Sequence, residues 1–473
     1  MPVQSDDAHP AVEPSTVVAG PEVPGQGETF PRWKMRLGFV LIPVAHSAGA
    51  NIITVLAFRF LTDNLAISAT AAGLMFALVK IYDGILDPAL GAWSDNARTR
   101  WGRRLPFLVA GAILMPLGIA MLFNTPDFGS VIAAQVFLVV ALMIHASAYT
   151  ALTIPGMAML VEATDSYHER TVLMAYRVFG NSMGVLLGST LPAWLLSTWG
   201  ATRSGHSMMS LTIAGIVLLA GLGAVWLLRH APRTHPDANV ERVRFSFVTQ
   251  ARLAWANVPF RQLATAHIFV LFGTAVGSMG SAYFTKYVLN FPDAMLGTYY
   301  LILTVGSVGS MPIWVRISKR YSKKASYISA LSGYALVNLA WAFMSGDEPL
   351  ALMAALAIIA GFTAGGMILS AYSMMSDAVR YDYITSGLRR EGAFAGFTTL
   401  FDKLSAAAGI AAMGLFLSAM GYVASTGGTV KQPDSAVFAI MLCVTVLPAA
   451  MMAAAIFFVR DYRLDEAMLV ERT

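Results

Sequence analysis

The chain has 473 residues, of which 56% are hydrophobic and only 12% charged, about half the charged fraction of an ordinary soluble protein. That balance excludes a water-soluble enzyme of this size and points to an all-α integral membrane protein, because the apolar blocks each supply the roughly 20 residues a helix needs to cross a bilayer. The formal charge of +5 belongs to cytoplasmic loops and implies no nucleic-acid partner, and the single cysteine, Cys443, leaves no disulfide, zinc cluster or cysteine-held iron–sulfur centre within one chain.

Residues 1–31 hold six prolines and five acids but no Lys or Arg. The expectation over 1–33 is a disordered cytoplasmic tail, not a signal peptide, which needs a positive start and an apolar centre. Twelve spans follow, near 37–60, 68–93, 105–123, 130–160, 171–197, 207–228, 262–286, 294–315, 326–344, 350–376, 392–422 and 435–459. The longest internal loop separates spans six and seven. It divides the chain into an N-terminal six-helix bundle (34–229), a cytoplasmic linker (230–258), a C-terminal six-helix bundle (259–460) and a cytoplasmic tail (461–473). A weak internal repeat supports duplication: Phe60-Leu61-Thr62-Asp63 closes span one and Tyr283-Phe284-Thr285-Lys286 closes span seven. Lys and Arg near span ends stay on the cytoplasmic side. With both termini inside, only Arg59, Arg203, Lys286 and Lys431 fall outside, and Lys80, Arg177 and Lys403 lie within spans.

A charge at mid-bilayer costs about 2.5 to 3.5 kcal/mol even on the lenient insertion scale, so charged residues inside spans are functional candidates. Span two carries Lys80, Asp83 and Asp87 at i, i+3 and i+7, one helical face, with the carboxylates about 6 Å apart along the axis. Two carboxylates beside a cation can trade a bound ion for internal pairing, which is the chemistry of a coupled transporter. A static salt bridge is the plainer alternative, but Lys80 can neutralise only one acid. Lys403 follows Asp402, yet adjacent helical residues point about 100° apart, which weakens a purely local pair. His46, His145 and His267 also fall within spans, where a lone histidine is more often a neutral core residue.

Several segments then carry a resemblance. Gly91-Ala92-Trp93-Ser94-Asp95 leads through Arg98 to Gly102-Arg103-Arg104; Asp83-Gly84-Ile85-Leu86-Asp87-Pro88 lies on span two, and Tyr149-Thr150-Ala151-Leu152-Thr153-Ile154-Pro155 on span four. Glu169-Arg170 to Arg177, and Asp377 to Glu391-Gly392, continue the series. In this order and spacing the chain resembles the glycoside-pentoside-hexuronide:cation symporter family of the major facilitator superfamily, in its melibiose permease-like form. The resemblance implies twelve transmembrane helices in two pseudo-symmetric bundles that rock about a central cavity. It implies a cation site of Asp83, Asp87, Thr150 and Lys403, with Lys80 beside it, and a sugar-contacting Arg177. A cytoplasmic gate of Gly91, Asp95, Arg98, Gly102, Arg103 and Arg104 is also implied. There are departures at the substrate positions: Ser47, preceded by His46, replaces an acidic ligand, Thr153 an aspartate, Met157 a tryptophan, and Leu86 a cation-site asparagine. These put galactoside binding through paired carboxylates in question.

The expected function is symport of a small sugar-like solute of the glycoside, pentoside or hexuronide class with a cation, by a monomer in the inner or plasma membrane. No enzymatic activity, cofactor or structural metal is expected. The sequence has no Gly-x-x-x-x-Gly-Lys-Ser/Thr loop, so an ion gradient supplies the energy. The alternatives are a proton-coupled carrier or exporter of a non-sugar amphipathic solute, suggested by Met157, Thr153 and 26 methionines, and a non-transporting membrane sensor. Sodium requires a shell of several oxygens, and Leu86 and Thr153 stand where that shell needs an amide and a carboxylate. A proton is therefore preferred as coupling ion, with sodium retained because backbone carbonyls and water can complete a shell around Asp83, Asp87 and Thr150.

Overall fold

A computed structural model describes residues 31–164, 166–231, 252, 254–387, 391–427, 430–464 and 468. The expected tail over 1–30, most of the linker, Arg389 and Arg390 of the basic loop and nearly all of the last nine residues lie outside the described residues. Twelve long helices carry the rest: α1 Arg32–Asn64, α2 Ala69–Asn96, α3 Leu105–Phe123, α4 Val131–Glu162, α5 Tyr167–Trp199, α6 Arg203–Leu228, α7 Val258–Val288, α8 Asp293–Arg320, α9 Lys323–Trp341, α10 Leu350–Ser386, α11 Glu391–Ala419 and α12 Asp434–Val459. Ser68, Ser130, Ser166, Thr202, Asn257 and Ser322 each cap a helix, the side-chain oxygen accepting the backbone N–H three residues on. The first helix of each half holds one π turn, Ile53–Ala57 in α1 and Phe284–Val288 in α7.

Several helices overrun the apolar blocks, and others stop short of them. α10 continues to Ser386, ten residues beyond the expected end, because its last turns lie past the hydrocarbon and need not be apolar. α11 stops at Ala419, short of the expected 422, and Gly421 turns the chain with φ of 81°. Ten of the twelve are apolar and long enough to span a bilayer by themselves. α5 and α9 are not, and neighbours carry them. On α5 the stripe Gly180-Gly184-Gly188 lies against α1: a Cβ at these positions would sit 2.3 Å from the Val40 carbonyl oxygen, 2.7 Å from Ser47 Cβ and 2.3 Å from the Ala48 carbonyl oxygen. Small residues four apart let two backbones approach this closely, which is how helices gain packing without a hydrophobic drive.

In the first half α1 packs on α5 and α6, α3 on α4 and α6, and α2 on α4. In the second, α7 packs on α11 and α12, α8 on α10, and α9 on α10 and α12. The halves meet through α2 against α11 and α5 against α8, the reciprocal pairs that a six-plus-six pseudo-twofold produces. The α2–α11 contact is closest at Gly73 and Gly414, where a Cβ on Gly414 would lie 2.3 Å from the Ala69 carbonyl oxygen.

Candidate functional site

The charged residues of span two meet their main partner from the opposite half. Asp83 is buried, and its Oδ2 is hydrogen-bonded by the ammonium of Lys403 on α11, which also lies 3.5 Å from Asp87 Oδ2. Thr150 on α4, with no exposed surface, reaches Asp87 Oδ1 at 2.7 Å and Asp83 Oδ1 at 3.1 Å. Lys80 is the looser partner, 3.9 Å from Asp83 with 39% of its side chain exposed. One hydroxyl, two carboxylates and two ammonium groups thus converge from α2, α4 and α11. In low dielectric, removing one member of such a cluster leaves an uncompensated charge, at a cost of about 3 to 5 kcal/mol. Asp402 does not hold Lys403; its Oδ1 lies 3.0 Å from His267 Nε2 on α7. His145 spends Nε2 on the Gly49 carbonyl at 3.0 Å, a packing role between α4 and α1.

Tyr149 connects this cluster to the solute positions. Lys403 Nζ stands 5.5 Å from its ring centroid, and the His46 ring meets it edge-on at 5.5 Å. Ser47 Oγ donates to Asn181 Oδ1 at 2.6 Å and lies 3.2 Å from His46 Nδ1. Asn181 is one helical turn beyond Arg177 on α5, and Arg177 is close enough to act electrostatically on both His46 and Tyr149. The Thr153 hydroxyl turns back to the Tyr149 carbonyl at 2.9 Å and so offers no free donor. Met157 lies further along α4, exposed, and is not brought to this group. Tyr149 and Asn181 were not legible as site residues. The signal available for Asn181 is its place inside the glycine stripe of α5, where a polar side chain must face the same neighbour.

Of the gate residues, Asp95 pairs with Arg104 at 2.5 Å, Arg104 and Arg103 each reach Glu162 at 2.9 Å, and Arg104 donates to Ser94 Oγ at 2.7 Å. Gly102 adopts φ of 86° and closes a turn with Thr99, while Gly91 gives its carbonyl to Ser94 and Arg98 is exposed. These pairs tie α2 to α4 inside the first half in this conformation, and Glu162 is a member the motif did not reveal. The halves are instead joined at the other end. Asp63, closing α1, accepts from Lys286 at 2.6 Å, from Tyr287 at 2.7 Å and from Tyr422, all of the second half. Arg59 pairs with Asp293 at 2.5 Å and donates to the Ala282 carbonyl. Here the sequence did carry a signal: the internal repeat ends on Asp63 in one half and on Lys286 in the other, opposite charges at equivalent positions.

Residues 38–466 match the model of the MFS/sugar transport protein family. The isoprimeverose transporter of Lactiplantibacillus pentosus is 24% identical, the match covering 100% of this chain and 96% of that protein. An uncharacterized symporter of Synechocystis is 27% identical over 89% of this chain and 92% of its own. Among solved structures, an inward-facing bacterial homologue of the human lysosomal transporter Spinster superposes with a TM-score of 0.65 at 15% identity, over 93% of this chain and 97% of that one. The chain belongs to the MFS/sugar transport protein family, a family of multi-pass membrane transporters and not of enzymes, in agreement with the motif resemblance to the glycoside-pentoside-hexuronide:cation symporters.

Proposed function

We propose that this family member carries a small sugar-like solute across the cell membrane together with a cation, and that the cation competes with Lys403 for Asp83 and Asp87. The observation that supports this most directly is the ammonium of Lys403 lying between two carboxylates of the opposite half. A cation arriving on the carboxylates displaces Lys403 and loosens the link between α2 and α11. Ion occupancy thereby biases the equilibrium between the two rocked states, since a ligand shifts such an equilibrium only through its differential affinity for them. The curated relatives named symporter and isoprimeverose transporter support the coupling and the solute class. We further place both termini in the cytoplasm, so that the Asp63 end is outer, and take the carrier to act as a monomer.

The coupling ion proposed is the proton, with sodium as the alternative. Among the described residues no third His, Cys, Asp or Glu joins Asp83 and Asp87 in a group that could hold a metal, and Thr150 adds only one oxygen. A proton needs a single carboxylate. The test is uphill uptake and counterflow in proteoliposomes bearing Asp83→Asn or Asp87→Asn. Uphill uptake should be lost while exchange survives. Near-native uphill uptake by both variants would overturn the coupling role.

A further inference from the structure

Arg177 stands apart from the other cations of the membrane interior. Lys403 has Asp83 and Asp87, Lys80 has Asp83, and Arg59 has Asp293. Among the described residues Arg177 forms no hydrogen bond, and no carboxylate lies within ion-pair distance of it. α1 presents Ser47, bonded to Asn181, and α4 presents Thr153, bonded to its own backbone. Glu169, two turns earlier on α5, is 3.3 Å from Arg36. On α11 Asp402 Oδ1 lies 3.0 Å from His267 Nε2 of α7. The central constellation therefore holds three basic side chains, Lys80, Lys403 and Arg177, against two carboxylates, Asp83 and Asp87. An unpaired guanidinium at this depth is expensive and marks a ligand site by default.

His46 adds a second requirement. It is 4% exposed, and its Nε2 is buried with no hydrogen-bond partner. Ser47 commits its proton to Asn181, so at the 3.2 Å contact the His46 Nδ1 is the donor to Ser47 Oγ. Nε2 is then a bare acceptor in the neutral ring. The site thus offers a charged fork of donors and, beside it, an acceptor for a hydroxyl.

We propose that the solute is an anion, a carboxylate or sulfonate on a hydroxylated carbon frame, anchored through its oxyanion by Arg177 with His46 Nε2 accepting from a hydroxyl. The inference rests on the transport reading above and narrows its substrate class. A guanidinium matches the paired oxygens of either oxyanion bidentately, which an ammonium does not. A neutral sugar leaves Arg177 without a counter-charge, so discrimination should be large.

The test is binding of three matched glycosides to the purified full-length protein, followed by calorimetry: a glucuronide, the corresponding glucoside and the corresponding sulfoquinovoside. At least one oxyanion ligand should bind about ten- to a hundred-fold more tightly than the glucoside, the range for hydrogen bonds to a charged group. Which of the two leads identifies the oxyanion. Arg177→Gln should erase the preference and Arg177→Lys restore part of it, with thermal unfolding of each variant checked so that a folding defect is not read as lost recognition. A glucoside bound as tightly as its charged counterparts, or a preference that survives Arg177→Gln in a folded protein, overturns the inference and leaves the transport reading standing. Binding of none of the three overturns it as well; the transport reading falls with it only when neutral mono- and disaccharides also fail to accumulate under an imposed ion gradient.

Discussion

With the termini in the cytoplasm as proposed, Asp63→Asn is expected to open the carrier at its outer end. The Asp63 carboxylate is 3% exposed and is held mainly across the interface between halves, by Lys286 at 2.6 Å, Tyr287 at 2.7 Å and Tyr422, with Thr62 of its own half adding a weaker contact at 3.3 Å. An amide keeps the shape but removes the ion pair and turns charge-assisted contacts into neutral ones, each weaker by roughly 1 kcal/mol. Leaving Lys286 without its partner brings the total to about 3 to 5 kcal/mol against the closed arrangement. In the opened arrangement the same groups are hydrated, so the substitution costs little there. The ratio of closed to open molecules should then fall by about two to three and a half orders of magnitude. Thr62→Cys in a Cys443→Ser background supplies a reporter, because Thr62 has no exposed surface and meets Tyr283 of the second half at 2.6 Å. An impermeant maleimide applied from outside should label it slowly with Asp63 intact and at least ten times faster with Asp63→Asn. Equal labelling rates in two equally folded proteins would refute the assignment of Asp63 as the outer lock.

A pH gradient alone should drive accumulation in proteoliposomes; uptake driven by sodium at constant pH, with no response to the pH gradient, would make sodium the ion. At the cytoplasmic gate, Glu162→Ala should lower the thermal midpoint more than Asp95→Ala, since Glu162 holds both Arg103 and Arg104 and is 16% exposed while Asp95 is 35% exposed and screened by solvent; the reverse order in thermal unfolding would count against it. Gly188→Val should cost about 1 to 3 kcal/mol or abolish folding, because the Ala48 carbonyl oxygen stands 2.3 Å from the added carbon. Gly215→Ala, with nothing within 4 Å, serves as the control, and equal thermal midpoints for the two variants would contradict the packing argument.

The fold was legible because bilayer crossing imposes length and apolarity on ten of the twelve helices separately, so most spans can be counted without knowing their partners. The ends were not, since α10 runs on to Ser386 and α1 begins at Arg32 where neither lipid nor apolarity constrains the chain. Within the site, the shared face of Asp83 and Asp87 follows from helical periodicity. Lys403, 320 residues away from Asp83, was placed beside them by motif resemblance alone, because periodicity says nothing about which distant helix packs opposite. The same limit hid Glu162 from Arg104, and Asn181 from Ser47. Asp63 and Lys286 show the intermediate case, in which the repeat supplied the equivalence of two positions but not their contact.

The two bridging clusters share a polarity that bears on coupling. At the Asp63 end the first half contributes Asp63 and the second Lys286; midway along the bundle the first half contributes Asp83 and Asp87 and the second Lys403. A cation bound at Asp83 and Asp87 strips Lys403 of its counter-charge, which is costly in low dielectric. Cation binding alone is therefore unfavourable, and so is a bare Arg177. An anionic solute at Arg177 relieves both costs, because the Tyr149 ring, 5.5 Å from the Lys403 ammonium, is within electrostatic reach of both cations. Bound together, the opposite charges of the two ligands offset each other, so the solute lowers the cost of holding the cation that the site bears when the cation is bound alone. Sites that favour joint occupancy have a positive coupling free energy between ligands, and reciprocity requires that the solute tighten ion binding by the same factor that the ion tightens solute binding. The charge arrangement thus gives symport a cause in the membrane interior itself, independent of any contact between the ion and the solute.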